Sequence, residues 1–142
     1  GKSLEGEPAV TGELAPWSEV KPLLQVGTAY TITDYNTGST FIMAFTGGES
    51  HAEMECTDAF NASLYKAAFG GEYNYSKRPV VVSISGRQIA ASLSGWPHGS
   101  DQYTANEMGG HACLFFDGSL SHVGNLPGAE HQELVYKAAG RG

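Results

Sequence analysis

The sequence predicts an α+β domain with a mostly antiparallel β core, either a sandwich or a barrel, and two short helices. Segments rich in Thr, Tyr, Ile and Phe alternate with turn residues, which is typical of β-hairpins. Glycine accounts for 19 of the 142 residues and charged residues for only 16% of the chain, a composition that favours a loop-rich β protein over a helical bundle. The length suits one domain with a single core.

We expect residues 1–16 to form a flexible leader, because this stretch is polar and interrupted by Gly and Pro, and residues 17–142 to form the domain. Such a leader suits a secreted or cell-envelope bacterial protein. Fifteen acidic residues against eight basic ones give a net charge of −7, which argues against a nucleic-acid partner. The longest apolar stretches, 79–84 and 41–45, are too short to span a membrane. We also expect a monomer without a cofactor.

Two hairpins and one further strand are predicted. The first hairpin joins residues 29–35 to residues 40–46 through Asn36-Thr37-Gly38, and the second joins residues 80–85 to residues 88–94 through a Ser-Gly turn. A further strand is predicted over residues 111–116, ended by an Asp-Gly pair. Residues 95–110 contain several Gly and Pro and show no periodicity, so we expect a long loop that orders over a substrate.

Two helices are predicted, besides a short helical turn within residues 13–24. The first runs to about Phe69, with Thr57 as the candidate N-cap and Asp58 at the positive end of the helix dipole. Its inward stripe is predicted to contain Phe60, Leu64, Ala67 and Ala68. The second covers residues 129–139, with Leu134 and Val135 facing the core.

The candidate chemistry lies in Trp96-Pro97-His98-Gly99 and in Gly110-His111-Ala112-Cys113-Leu114. His111 and Cys113 are two positions apart, so on a strand their side chains point to one face. A cysteine needs a base or a positive neighbour to act as a thiolate at neutral pH, and His98 could provide it. The glycines before His111 would allow close approach of the backbone to a substrate oxyanion.

This pattern resembles the signature of the L,D-transpeptidase (YkuD-like) catalytic domain, in which His-Gly, a loop, and Ser-His-Gly-Cys follow in that order. Here Gly110 replaces the Ser, Ala112 the second Gly, and Phe115 an expected Arg. The similarity covers about residues 80–116. The Pro-His-Gly and Gly-His-x-Cys pattern is also similar to that of an uncharacterised group of secreted bacterial proteins.

The resemblance implies a cysteine-dependent acyl transfer on peptidoglycan stem peptides, by transpeptidation or hydrolysis. Carried over to this chain, it makes Cys113 the nucleophile and His98 its base, oriented by the Gly99 carbonyl. The backbone N–H groups of Ala112 and Cys113 would then form the oxyanion hole beside Gly110. Within the loop, Tyr103, Asn106 and Asp101 are the polar residues expected to contact the acyl donor.

Besides the acyl-transfer enzyme, two other interpretations of the same residues remain open. The domain could be a non-catalytic envelope module that binds glycan or peptide, with Cys113 an inert core thiol or disulfide-bonded to Cys56. A zinc hydrolase is the third interpretation, although no compact ligand spacing supports it. Its candidate ligands are His51, His98, His111, Cys113 and His122.

Several polar residues are expected at the surface. Glu53 and Glu55 alternate on one face of a strand-like segment beside His51, which favours a solvated face. His122 and His131 are likewise expected to be exposed.

Overall fold

The computed structural model describes residues 11–74, 76–97, 108, 110–119 and 129–140. Six antiparallel strands close into a barrel in the order β1-β2-β3-β6-β5-β4. The strands are β1 (Ala29–Asp34), β2 (Thr40–Gly47), β3 (Ala52–Cys56), β4 (Lys77–Ile84), β5 (Arg87–Ser94) and β6 (Ala112–Phe115). The helices are α1 (Trp17–Val20), followed by a 3₁₀ turn (Lys21–Leu23), α2 (Ala59–Ala68) and α3 (Ala129–Ala138). The predicted α+β class with a barrel-like β core is confirmed.

Both predicted hairpins are present. The carboxylate of Asp34 closes the first, because its Oδ2 accepts hydrogen bonds from the Thr37 N–H (3.0 Å) and the Thr37 hydroxyl (2.6 Å). The second turns through Ser85 and Gly86, with φ values of 52° and 77°. Two consecutive positive φ values are typical of a type I′ turn, whose twist matches that of the strands it joins.

Asp34 also forms a buried ion pair between neighbouring strands. The Arg78 Nε lies 2.7 Å from Asp34 Oδ1, and an Arg78 terminal nitrogen lies 2.8 Å from Oδ2. The Asp34 side chain is fully buried, whereas that of Arg78 is 22% exposed. This bidentate pair connects the first hairpin to β4, with which β1 pairs to close the barrel.

The barrel interior is filled by alternate residues of every strand, as the period-two geometry of a strand requires. Its largest fully buried side chains are Phe41, Ile32, Met43, Met54, Ile84, Ile89, Leu93 and Leu114. Trp17 of α1 packs at one end, where its ring stacks on Phe116 at 5.9 Å. Tyr65 of α2 packs at the opposite end, against Phe41.

The inward face of helix α2 agrees with the predicted one only in part. Its N-cap is Asp58 rather than Thr57, and the Asp58 carboxylate accepts from the Asn61 N–H at 2.8 Å. The buried residues are Ala62, Tyr65 and Phe69. Of the predicted stripe, Leu64 and Ala68 pack against the core, whereas Ala67 is exposed and Phe60 is 69% exposed. Both sets have helical spacing, so periodicity could not decide between them. Burial of Tyr65 is possible because its hydroxyl donates to the Ser94 carbonyl oxygen at 2.7 Å.

Helix α3 packs on the outside of the barrel. Its Val135 and Ala138 form a small apolar cluster with Val81 and Ala90. Part of the expected leader also packs there: Glu13 forms a parallel bridge with Ile89, and the Gly12 N–H donates to the Ala138 carbonyl oxygen at 2.8 Å. The described ordered structure therefore begins before Trp17. Among the described helices, none combines the length and hydropathy needed to cross a bilayer.

Candidate functional site

The outward face of β3, β6 and β5 carries polar side chains that are nevertheless buried. Polar groups are normally buried only with hydrogen-bonding partners, because they lose their contacts with water. On this face and on the adjoining face of α3, six polar or ionisable residues are each 6% exposed or less: His51, Glu55, Ser92, His111, Cys113 and His131. We refer to these six residues, together with Glu53, Ser94 and Phe115, as the outer polar face.

The central row of the outer polar face consists of Glu53, Cys113 and Ser94. Glu53 pairs with Cys113 across β3 and β6. Leu93 pairs with Leu114 across β5 and β6, and Ser94 and Cys113 lie one position beyond this last pair. The Cys113 N–H accordingly donates to Ser94 Oγ at 2.9 Å. The thiol thus lies between a carboxylate and a hydroxyl group.

The row on one side is aromatic and is covered by α3. The Phe115 ring stacks between two imidazoles, with centroid distances of 4.5 Å to His51 and 3.8 Å to His131. The His131 Nδ1 lies 2.7 Å from the Ser92 Oγ in a buried hydrogen bond. His131 therefore holds α3 to the barrel through both a stacking contact and a hydrogen bond.

His111 lies on the other side of the central row, next to the thiol along the chain. Its Nε2 is 3.9 Å from Glu53 Oε2, and the side chain of Glu53 is 26% exposed. Glu55 and His111 lie one position beyond Met54 and Ala112, the last residues that pair across β3 and β6. The predicted placement of His111 and Cys113 on one face agrees with this arrangement, in which Glu53 lies close to both.

Cys113 is protonated at neutral pH in this structure. Burial and, to a smaller extent, the negative charge of Glu53 raise the pKa of the Cys113 thiol to about 12. A preformed thiolate, which we expected from the motif, is therefore disfavoured. Proton removal during attack on a substrate requires a base.

Cys56 is separated from Cys113 by the sheet itself. Cys56 belongs to the barrel interior and Cys113 to the outer polar face, and neither of these two cysteines forms a disulfide. Burial also raises the pKa of Cys56 to about 12. Its backbone N–H donates to the Met108 sulfur at 3.4 Å. The disulfide between Cys56 and Cys113 considered above is therefore not formed, and Cys56 is a thiol of the core.

Two residues expected at the surface are buried. Glu55 is fully buried, although its alternation with Glu53 suggested a solvated face. His131 is 6% exposed because the buried side of α3 runs through His131, Val135 and Ala138. Val135 is buried as predicted, whereas Leu134 is only partly buried. Burial lowers the pKa of His131 to about 3, assisted by the positive charge of Lys77 and by His51.

The backbone around Cys113 is oriented differently from the predicted oxyanion hole. β6 lies between β3 and β5, and the Cys113 N–H points towards β5, where it binds Ser94. Successive N–H groups of a strand point in opposite directions, so the Ala112 N–H points towards β3. The two N–H groups therefore diverge. Gly110 is buried directly before this strand.

The other predicted site residues, His98, Gly99, Asp101, Tyr103 and Asn106, lie outside the described residues, as do most of the predicted loop and His122. Within the described ranges, no group of three or more His, Cys, Asp or Glu side chains is arranged to hold a metal ion. Two of the five candidate zinc ligands, His98 and His122, lie outside these ranges.

Sequence reasoning overlooked Ser92, Ser94 and His131 as members of this face. A signal was nevertheless present, because three segments alternate polar with apolar residues: His51 to Glu55, His111 to Cys113, and Ser92 to Ser94. Each could be interpreted as an ordinary strand with one solvated face. The three segments become neighbours only through the order of the strands in the barrel, in which β6 lies between β3 and β5.

Comparison of the chain with family models, with curated proteins and with solved structures finds no match. The resemblance to L,D-transpeptidases therefore depends on the motif around His98 and Cys113. The chemistry of the outer polar face has to be argued from its own geometry.

Proposed function

We propose that the protein is a cysteine-dependent acyl-transfer enzyme with Cys113 as its nucleophile. The observation that carries the proposal is the central row, in which a thiol lies between Glu53 and Ser94, with His111 next to it on the same face. A thiol buried for packing alone would be expected among apolar side chains. Here its neighbours are groups that transfer protons and donate hydrogen bonds.

The substrate class follows from the resemblance: a peptidoglycan stem peptide, acted on in the cell envelope of a bacterium by a monomeric enzyme. The base is His98, as the same motif implies. Because the pKa of Cys113 is about 12, proton transfer from the thiol to the imidazole accompanies attack of the sulfur on the substrate carbonyl. The acyl-enzyme is then resolved by an amine in transpeptidation or by water in hydrolysis.

The test is acylation of the intact protein by a stem-peptide mimic that ends in a D-amino acid, followed by mass spectrometry. We expect one acyl adduct on Cys113, and none in Cys113→Ala. Cys56→Ala is the matched control, because it removes the other buried thiol and should still be acylated. His98→Ala and His111→Ala, assayed in parallel, separate the base from the neighbouring imidazole. An unmodified wild-type protein, with its fold verified, would contradict the proposal.

A second function, a non-catalytic envelope-binding module, is favoured by one observation. Cys113 is 3% exposed and its pKa is raised, as expected of an inert thiol. The two functions predict different results for the wild type. A binding module is never acylated, and it keeps its affinity for peptidoglycan fragments in Cys113→Ser. The enzyme is acylated as wild type and loses acylation in Cys113→Ser.

A further inference from the structure

We infer that the Ser94 hydroxyl is the side-chain hydrogen-bond donor to the oxyanion formed at Cys113. This assignment rests on the acyl transfer proposed above and adds a catalytic residue that the sequence motif does not contain. Attack of the Cys113 sulfur on a carbonyl carbon forms a C–S bond and moves the carbonyl π electrons onto oxygen. The negative oxygen then requires a fixed donor near the sulfur.

Ser94 lies beside Cys113 on the outer polar face. The two residues lie one position beyond Leu93 and Leu114, the last residues that pair across β5 and β6. The Ser94 Oγ accepts a hydrogen bond from the Cys113 N–H at 2.9 Å. That contact fixes the position of the hydroxyl oxygen relative to the nucleophile.

The hydroxyl hydrogen of Ser94 is available to a substrate. A serine hydroxyl can donate one hydrogen bond while it accepts others. Among the described residues no acceptor for this hydrogen is found, and the Ser94 side chain is only partly buried. The hydroxyl can therefore turn its hydrogen towards a carbonyl oxygen held beside the Cys113 sulfur.

The same geometry explains why Cys113 itself is not this donor. Its N–H is already bound to Ser94, and the Ala112 N–H points to the opposite side of β6. Ser94 is itself held in place, because the buried Tyr65 hydroxyl donates to the Ser94 carbonyl oxygen at 2.7 Å. Tyr65 is thus a positioning residue, and it lies too far inside the core to contact substrate directly.

The reaction balances without any additional reagent. The thiol proton passes to the base histidine as the sulfur attacks, and Ser94 donates a hydrogen bond to the oxyanion without losing its proton. When the oxyanion collapses, the bond from carbon to the leaving group breaks. A leaving amine takes the proton from the imidazolium, and Cys113 remains as a thioester.

The experiment compares two reactions of the same thiol. Acylation by p-nitrophenyl acetate passes through an oxyanion, whereas alkylation by iodoacetamide displaces iodide and forms none. In Ser94→Ala we expect acylation to slow by about 10²-fold, the usual effect of removing one oxyanion donor. Alkylation should change less than about two-fold. Ser94→Thr keeps the hydroxyl and should restore most of the acylation rate.

Each result has a defined meaning. Equal slowing of acylation and alkylation in Ser94→Ala, or unchanged acylation, would overturn the assignment of Ser94. The proposed acyl transfer would still stand if Cys113→Ala were inactive in the same assay. If wild type and Cys113→Ala release p-nitrophenolate equally, the proposed acyl transfer fails and the role of Ser94 fails with it. Should Ser94→Ala not fold, Tyr65→Phe provides the same comparison. Its acylation should slow more than its alkylation, and equal slowing of the two would count against Ser94.

Discussion

Acidification should weaken the attachment of α3 to the barrel through a single residue, His131. Its imidazole is 6% exposed and stacks on the Phe115 ring. The Nδ1 atom of the imidazole is hydrogen-bonded to the Ser92 hydroxyl. The charges that face it are Lys77 of β4, which pairs with Glu130 at 3.0 Å, and His51 on the far side of Phe115. Protonation would place a positive charge in this buried site.

The size of the effect follows from the pKa shift. The pKa of His131 is lowered from 6.5 to about 3, so between these values the unfolded chain binds a proton that the folded protein excludes. The contribution of His131 to stability is therefore complete above pH 6.5 and falls as the pH drops, by about 1.4 kcal/mol per pH unit. At about pH 5 the expected loss is about 2 kcal/mol.

The assay is urea unfolding at about pH 7 and pH 5, followed by circular dichroism, for wild type and His131→Asn. Asparagine keeps a polar partner for Ser92 but does not titrate. Other groups contribute equally to both proteins, so the difference between their pH dependences isolates His131. We expect wild type to lose about 2 kcal/mol more than the variant between the two pH values. Equal losses would refute a buried, neutral His131.

Two further predictions concern the fold. Asp34→Asn should lower the unfolding free energy by about 3 kcal/mol, because it leaves the Arg78 guanidinium without its carboxylate and weakens the turn at Thr37. Urea unfolding measures this loss. The control is Glu19→Gln, which removes an exposed ion pair and should have far less effect on the unfolding free energy. Phe69→Ala should cost about 3–5 kcal/mol, whereas Phe60→Ala on the exposed side of α2 should be nearly neutral. A larger loss from Phe60→Ala would contradict the observed face of α2.

The local elements were predictable, because hairpins are specified by short-range signals. Asn36-Thr37-Gly38 and Ser85-Gly86 lie between β-prone segments, and both turns form where the sequence places them. The burial of individual faces was harder to predict. In α2, two sets of residues have helical spacing, and the choice of Tyr65 over Phe60 depends on a hydrogen bond to Ser94, 29 positions away.

The candidate site was predictable only in part. His111 and Cys113 could be placed together because they are neighbours on one strand. Glu53 and Ser94 could not, because their proximity to Cys113 depends on β6 lying between β3 and β5. Long-range strand pairing of this kind has no local sequence signal. The burial of Glu55 and His131 could not be predicted either, because it depends on which elements of the tertiary fold cover these residues.

The position of β6 also determines when the central row forms during folding. β1 to β3 follow one another as neighbours, and so do β4 and β5, so each group can assemble locally. β6 pairs with one strand of each group, and its pairing with β3 closes a long loop, as does the pairing of β1 with β4. Glu53, Cys113 and Ser94 come from the three separate parts. During refolding, the time at which the reaction of Cys113 with a pulse of alkylating reagent slows to its rate in the folded protein therefore reports the docking of β6 between β3 and β5.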